Sequence, residues 1–346
     1  MADGSLVFDT KIDSKGFSSG LKRLGTIGLK ATAAVTAGLA AVSGYAVKVG
    51  ASFEAGMSEV GAISGATQKD LARLADKAKE MGATTKFSAT ESAEALKYMA
   101  MAGWDTEKMM SGLPGVMKLA AASGEELGLV SDIVTDSMTA FGLKADQAGH
   151  FADVLAMASS RSNTNVAMLG ESFKYVAPLA GALGFTAEDT SVALGLMANK
   201  GIKGSQAGTS LKTALTRLNG ATGETKKLMD ELGISMTNSD GSMKSLDGIM
   251  VNLRSSFSEL SESQKGQAAA TLFGREALSG MLAIIDSSDE DYQSLTESIN
   301  NATGAADQMA KIKTDNLKGD FDILKSTAES LGISLYETFD MQLRGV

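Results

Sequence analysis

LGLVSDIVTDSMTAFGLK, residues 127–144, holds the pattern on which the fold turns. Leu127, Val130, Val134, Met138 and Phe141 recur every three or four residues and set one apolar stripe along a helix. Gly142 then stops that helix, because glycine takes the left-handed conformation at no steric cost. Bulky Leu143 follows, and a new helix begins shortly after. The same connector recurs upstream as Ala102-Gly103-Trp104-Asp105 and downstream as Leu183-Gly184-Phe185-Thr186. In each, glycine precedes a bulky residue that can staple the next helix. The spacing, about 40 residues, is the length of a helical hairpin. These readings predict a mainly α fold, an array of antiparallel helical hairpins.

Helix starts are marked on both sides of this stretch. Ser88 with Glu91, Ser123 with Glu126 and Ser261 with Gln264 fit the capping box, and Asp105 and Thr186 stand where an N-cap is needed. Further stripes run through Leu211, Leu215 and Leu218, and through Leu278, Met281, Leu282 and Ile285. Two places break the helical period. Gly233–Thr237 and Ser242–Lys244 flank Asn238-Ser239-Asp240-Gly241, which predicts one small β-hairpin. Leu6, Phe8 and Ile12 alternate and predict a short N-terminal strand, after which Phe17, Leu21 and Leu24 start a helix. The expected organisation is therefore four-part. Residues 1–25 carry the strand and helix start, and 26–50 an Ala/Gly-rich apolar helix. Residues 51–225 form the helical-hairpin core, and 226–346 the β-hairpin with C-terminal helices.

Composition excludes several classes. The 346 residues include no cysteine and one histidine, His150, so disulfides, thiolate metal sites and most Ser–His arrangements are out of reach. A net charge of −9 opposes tight binding to a phosphate backbone, so no specific nucleic-acid binding is expected. The chain has 38 glycines, 19 methionines and only 2 prolines, which suits many helices with small, adaptable contacts. The start of the chain lacks a secretory signal, having neither a basic beginning nor an apolar run. Ala31–Val47 contains seventeen uncharged residues, with Ala34, Gly38 and Ala41 at near one-turn spacing. Two readings stay open for it. One is an Ala-rich packing helix; the other is a membrane-active segment whose small face lets helices approach closely.

Four features imitate sites. Gly201-Ile202-Lys203-Gly204-Ser205-Gln206-Ala207-Gly208-Thr209 resembles a phosphate cradle but lacks the Gly-Lys-Ser/Thr ending, and reads better as a tight helix–helix turn. Asp286–Glu297 imitates a calcium loop, yet Asp291 stands where glycine is required, so the acidic residues read as a helix start. His150 lies one turn from Asp146 and Asp153, a pattern of surface ion pairs more than of metal ligands. Trp104 is either a staple or core residue or an interface anchor. No catalytic, cofactor-binding or metal residue is expected. The packing or interface candidates are Gly103, Trp104, Phe141, Gly142, Gly184, Gly201, Gly204, Gln206, Gly208 and Thr209.

Several stretches together resemble the core of phage tail tape measure proteins. They are Ala95–Tyr98 with Ala102-Gly103-Trp104, Leu113-Pro114, Leu119–Ala122, Asp132–Asp136, Ala140–Leu143, Asp153–Ala156, Ser162–Thr164 and Lys174–Pro178. The similarity is strongest in Gly201–Leu211, takes in Leu272-Phe273-Gly274, and runs from about Ser52 to Phe339. The resemblance implies a non-enzymatic virion structural protein that needs no cofactor. Several copies would self-associate in the lumen of the virion tail. Tail assembly chaperones would coat them in the host cytoplasm, and the tail tube protein would polymerise around them, with tail tip or baseplate proteins as neighbours. Tail length would follow chain length, and on infection the protein would help DNA cross the host envelope. A fully helical chain of this length would extend roughly 520 Å, but frequent glycine breaks argue for a folded form when free. Family members usually continue into a long helical ruler, which the resemblance does not extend to in this sequence. The alternative from another class is a stand-alone helical membrane-perforating protein acting on the host membrane. A carboxylate muramidase is a third reading.

Overall fold

The structure is a computed structural model that describes residues 32–343. The strand predicted at Leu6–Ile12 and the helix start at Phe17, Leu21 and Leu24 lie outside the described residues. Helix α1 spans Thr32–Ser64, so Ala34, Gly38 and Ala41 are helical backbone; their side-chain surroundings lie outside the described residues. Fifteen further α-helices follow it. They begin with α2 Gln68–Thr84, α3 Ala89–Met101, α4 Thr106–Ser123 and α5 Leu127–Phe141. A 3₁₀ turn, Ala145–Gln147, leads into α6 Ala148–Arg161. Next come α7 Val166–Ala182, α8 Ala187–Asn199, α9 Gly204–Asn219 and α10 Gly223–Glu231. The rest are α11 Leu246–Ser258, α12 Glu262–Phe273, α13 Leu278–Ile285, α14 Asp289–Asn300, α15 Ala305–Thr314 and α16 Leu317–Leu343.

Local chemistry explains most boundaries. At the end of α5, Gly142 has φ 69°; its N–H bonds Thr139 O at 3.1 Å and the Leu143 N–H reaches back to Met138 O at 2.8 Å. This closes the orphan carbonyls of the last turn and turns Leu143 inward. Trp104 N–H to Met99 O and Phe185 N–H to Ala180 O make the same closure, so the three connectors are one device. Ser88 and Ser261 form full capping boxes with Glu91 and Gln264, and Asp105 and Thr186 cap as predicted. The pair Ser123 and Glu126 does not. Ser123 ends α4, its hydroxyl donating to Ala120 O at 3.3 Å, while Glu126 precedes α5 and makes no side-chain cap bond. Gly124 at φ 80° takes the helix end, which leaves Ser123 inside the previous helix. The ribbon predicted around Asn238–Gly241 shrinks to one antiparallel bridge, Thr237 with Met243. Asp240 holds that turn by accepting from the backbone and hydroxyl of Ser242 at 2.9 and 2.6 Å.

The described residues fall into two compact units. One comprises the stretch up to Ala51 and that from Leu331; the other is Ser52–Ser330. In the first, helices meet through glycine. A Cβ on Gly50 would fall 2.1 Å from the Tyr336 ring, and one on Gly332 would fall 2.7 Å from Val49.

In the second unit the most extensive packing joins alternate helices, not consecutive ones. Helices α3, α5, α7 and α9 form one layer and α4, α6 and α8 another, with α2 against α3 as the exception. The chain then returns. Helix α13 packs on α8 and α9, α14 on α8 and α6, and α15 on α6 and α4, retracing the second layer in reverse. Helix α8 is consequently buried at every residue from Val192 to Ala198, as expected of a helix with neighbours on all sides. This arrangement departs from hairpins stacked side by side, because helical periodicity says which face is buried but not against which partner.

Candidate functional site

Gly201–Thr209 joins α8 to α9 and divides by role. Ile202 N–H closes back on Met197 O at 3.0 Å, so Gly201, at φ 87°, ends α8 as a turn. Ser172 on α7 donates its buried hydroxyl to Gly204 O at 2.8 Å. One turn on, Gly208 lies flat on the same residue: a Cβ there would fall 2.2 Å from Ser172 O. The α7–α9 crossing is thus backbone against backbone. Two other alternate-helix pairs use the same device: a Cβ on Gly181 of α7 would fall 2.2 Å from Ala140 O of α5, and one on Gly115 of α4 would fall 2.8 Å from Gly149 of α6. Gln206 and Thr209 do not belong to it. Both are exposed, because they stand on the face of α9 turned away from α7.

Trp104 is 7% exposed and lies over Gly112, where a Cβ would meet its ring at 2.3 Å. It is a core staple between connector and α4, not a surface anchor. A Cβ on Gly103, Gly142 or Gly184 would meet nothing within 4 Å, so conformation alone requires glycine there. Phe141 meets Phe173 edge-on at 5.5 Å, and Phe173 meets Phe151 at 6.1 Å, linking α5, α7 and α6. His150 bonds Glu188 of α8 at 2.6 Å in place of its expected neighbours Asp146 and Asp153. Asp153 instead accepts from the backbone of Gly304 and Ala306 at 2.8 and 2.9 Å and anchors the start of α15.

One cleft among the described residues was not visible from sequence. It measures about 1360 Å³ and lies among α11, α12, α13 and α14. Arg254, whose side chain is 12% exposed, forms one wall. It donates to Ile284 O at 3.0 Å, Ser287 O at 2.7 Å, the Ser287 hydroxyl and Asp289 at 2.6 Å, and stacks 4.7 Å over the Tyr292 ring. It therefore satisfies the last carbonyls of α13 and the first acidic residue of α14. Tyr292 donates to Asp247 at 2.6 Å, and the Asp247 N–H donates to Asp189 at 3.1 Å. Burial, helped by Asp247, pushes the Tyr292 phenol well above its usual range. These groups are consumed by one another, which makes the arrangement a joint between helices. Ser288 caps α14 by accepting from the Asp291 N–H at 3.0 Å, so Asp286–Glu297 is a helix start. Among the described residues no group of His, Asp and Glu could hold a metal ion. Among them, too, no helix is long and apolar enough to cross a membrane.

Asp189 gives a pH test. Burial raises its carboxyl above the ordinary Asp value, with the charges of Asp247 and Glu188 adding to the effect. A raised native value means a stabilising contribution that is full below the unfolded value and lost as pH rises through the native one. At neutral pH the ionised group therefore costs stability. Asp189→Asn keeps an acceptor for Asp247. Its melting temperature should exceed that of the parent at pH 7 and match it near about pH 3. A lower melting temperature at pH 7 would contradict this account.

Residues 75–274 match the model of the phage-related minor tail protein family. Over 330 residues the chain is 38% identical to the tape measure protein of Pneumococcus phage Dp-1, covering 95% of this chain and 29% of that one. Over 292 residues it is 28% identical to the probable tape measure protein of Escherichia phage P2, covering 83% and 36%. A probable tape measure protein of Clostridium phage phiCD119 is 23% identical over 325 residues, with 91% and 34% covered. The chain spans about a third of the length of these relatives. No solved structure matches it.

Proposed function

Because this chain belongs to the phage-related minor tail protein family and is similar to tape measure proteins, we propose that it lies within the tail tube as the folded core of a tape measure. There it templates tail assembly and assists delivery of DNA through the host envelope, and no catalytic step is assigned to it. The observation that carries this reading is the extent of the family match: residues 75–274 run from within α2 to the glycine that ends α12. The matched stretch thus includes both helix layers. In this reading the tail tube protein surrounds the chain, assembly chaperones hold it beforehand, and tip or baseplate proteins meet its end. Length control follows from the family resemblance and belongs to the extended form, in which helical segments rise about 1.5 Å per residue. The glycine connectors between helices support such an extension, since a left-handed glycine can change conformation without steric cost while the helices it joins persist.

Limited proteolysis tests the location. Purified intact tails should leave this chain uncut by a protease that digests it rapidly once the tube is dissociated. Equal cleavage in intact and dissociated tails would place it outside the lumen.

A further inference from the structure

Helix α15 is held by charge more than by apolar burial. Of its ten residues only Ala305 and Ala306 are buried, and Ile312 is 78% exposed. Helix α13 of the same returning stretch is shorter, at eight residues, yet buries Met281, Ile284 and Ile285. Two alanines remove too little apolar surface from water to offset the entropy of ordering ten residues. The helix is nevertheless seated on both α4 and α6. Three polar contacts account for that. The Asp153 carboxylate of α6 accepts from the N–H groups of Gly304 and Ala306 at 2.8 and 2.9 Å, at the positive end of α15. In return, the Lys313 ammonium of α15 donates to Ala122 O and Ser123 O at 3.1 and 2.6 Å, at the negative end of α4. Between them, Lys118 of α4 pairs with Asp307 at 3.0 Å.

Such contacts differ from a packed core in two ways. They are partly solvated: the Lys118 and Asp307 side chains are 52% and 31% exposed, Lys313 is exposed and Asp153 only half-buried. Attractions between charges, or between a charge and a helix end, are screened by dissolved salt at that exposure. They also release one helix by itself, since no large side chain of α15 has to leave a core. Gly304, at φ 81° and with nothing within 4 Å of an added Cβ, gives the chain a hinge at the start of the helix. We propose that α15 is an ionic strap across α4 and α6. It opens while both helix layers stay folded, and rising ionic strength shifts it toward the open state. Opening strips the partners from Ala122 O and Ser123 O and frees α4 and α6 from the returning chain. The strap belongs to the folded chain itself and stands apart from the tail reading.

Native-state hydrogen exchange of the purified chain, read by mass spectrometry, tests it. In the parent, the amides of Ala305–Thr314 should exchange about 100-fold faster than those of residues 192–198 in α8, each relative to its unstructured rate, because the strap opens locally. Raising sodium chloride from about 0.02 M to about 0.5 M should speed the strap about 5-fold and leave the α8 amides unchanged. Lys313→Met keeps the apolar stem and removes the charge. It should speed the strap about 10-fold at low salt and blunt its response to salt. The salt response of the parent needs no variant to fold, so it stands as a test by itself. Strap amides that exchange at the α8 rate would overturn the proposal, since the helix would then open only with the whole unit. So would a strap indifferent to salt, equal acceleration of strap and α8 by salt, or a folded Lys313→Met chain whose strap exchanges at the parental rate.

Discussion

Gly208→Ala should lower the melting temperature by roughly 6–12 °C, the shift expected in a domain of this size for a loss of about 3 kcal/mol. The new Cβ would lie 2.2 Å from Ser172 O, which is backbone and cannot turn aside as a side chain could. Helices α7 and α9 would have to separate. The hydrogen bond from the Ser172 hydroxyl to Gly204 O would lengthen with them. The matched comparison is Gly142→Ala. There the new Cβ meets nothing within 4 Å, and the cost is only that of holding alanine at φ 69°, about 1 kcal/mol. Melting curves followed by helical circular dichroism separate the two. Equal losses would mean that the close crossing of α7 and α9 does not hold the layers together.

Arg254→Ala should cost a similar amount, about 3 kcal/mol, for a different reason. It strips partners from the carbonyls of Ile284 and Ser287 and leaves Asp289 unmatched at the rim of the cleft. It also removes the cation from the face of Tyr292. Arg254→Lys should recover less than half of the loss. An ammonium is a point charge and cannot reach the α13 carbonyls and the Asp289 carboxylate at once, as the planar fork does. Hydrogen exchange should show faster opening of the amides from Asp286 to Tyr292 in both variants. A lysine variant with parental stability and exchange would contradict the reading of this joint.

Sequence alone carried the local grammar well. The three glycine connectors, the caps at Ser88, Asp105, Thr186 and Ser261, and the turn at Gly201 all follow from nearest-neighbour chemistry, and all stand in the structure. The failure at Ser123 was also local. Two competing end signals, Ser123 and Gly124, sit side by side, and the left-handed glycine prevailed. Tertiary pairing was not legible. Helix α5 packs on α7 and α3, yet nothing in the period of its apolar stripe names them. Nor does any local pattern join Asp153 to Gly304, 151 residues away. Gln206 and Thr209 share a sequence motif with Gly204 and Gly208, although helical geometry turns them to an exposed face. Arg254 gave no signal at all, since its partners lie 30 to 35 residues downstream. The family, by contrast, was legible, because it rests on many stretches spread along the chain.

The proposed place of this chain is the lumen of a phage tail. The most direct measurement is electron cryomicroscopy of purified tails, with the chain identified by mass spectrometry of the same preparation. Helical density along the tube axis, with this chain present at a small fixed number of copies per tail, is the predicted result. An empty lumen in particles that lack the chain would contradict it.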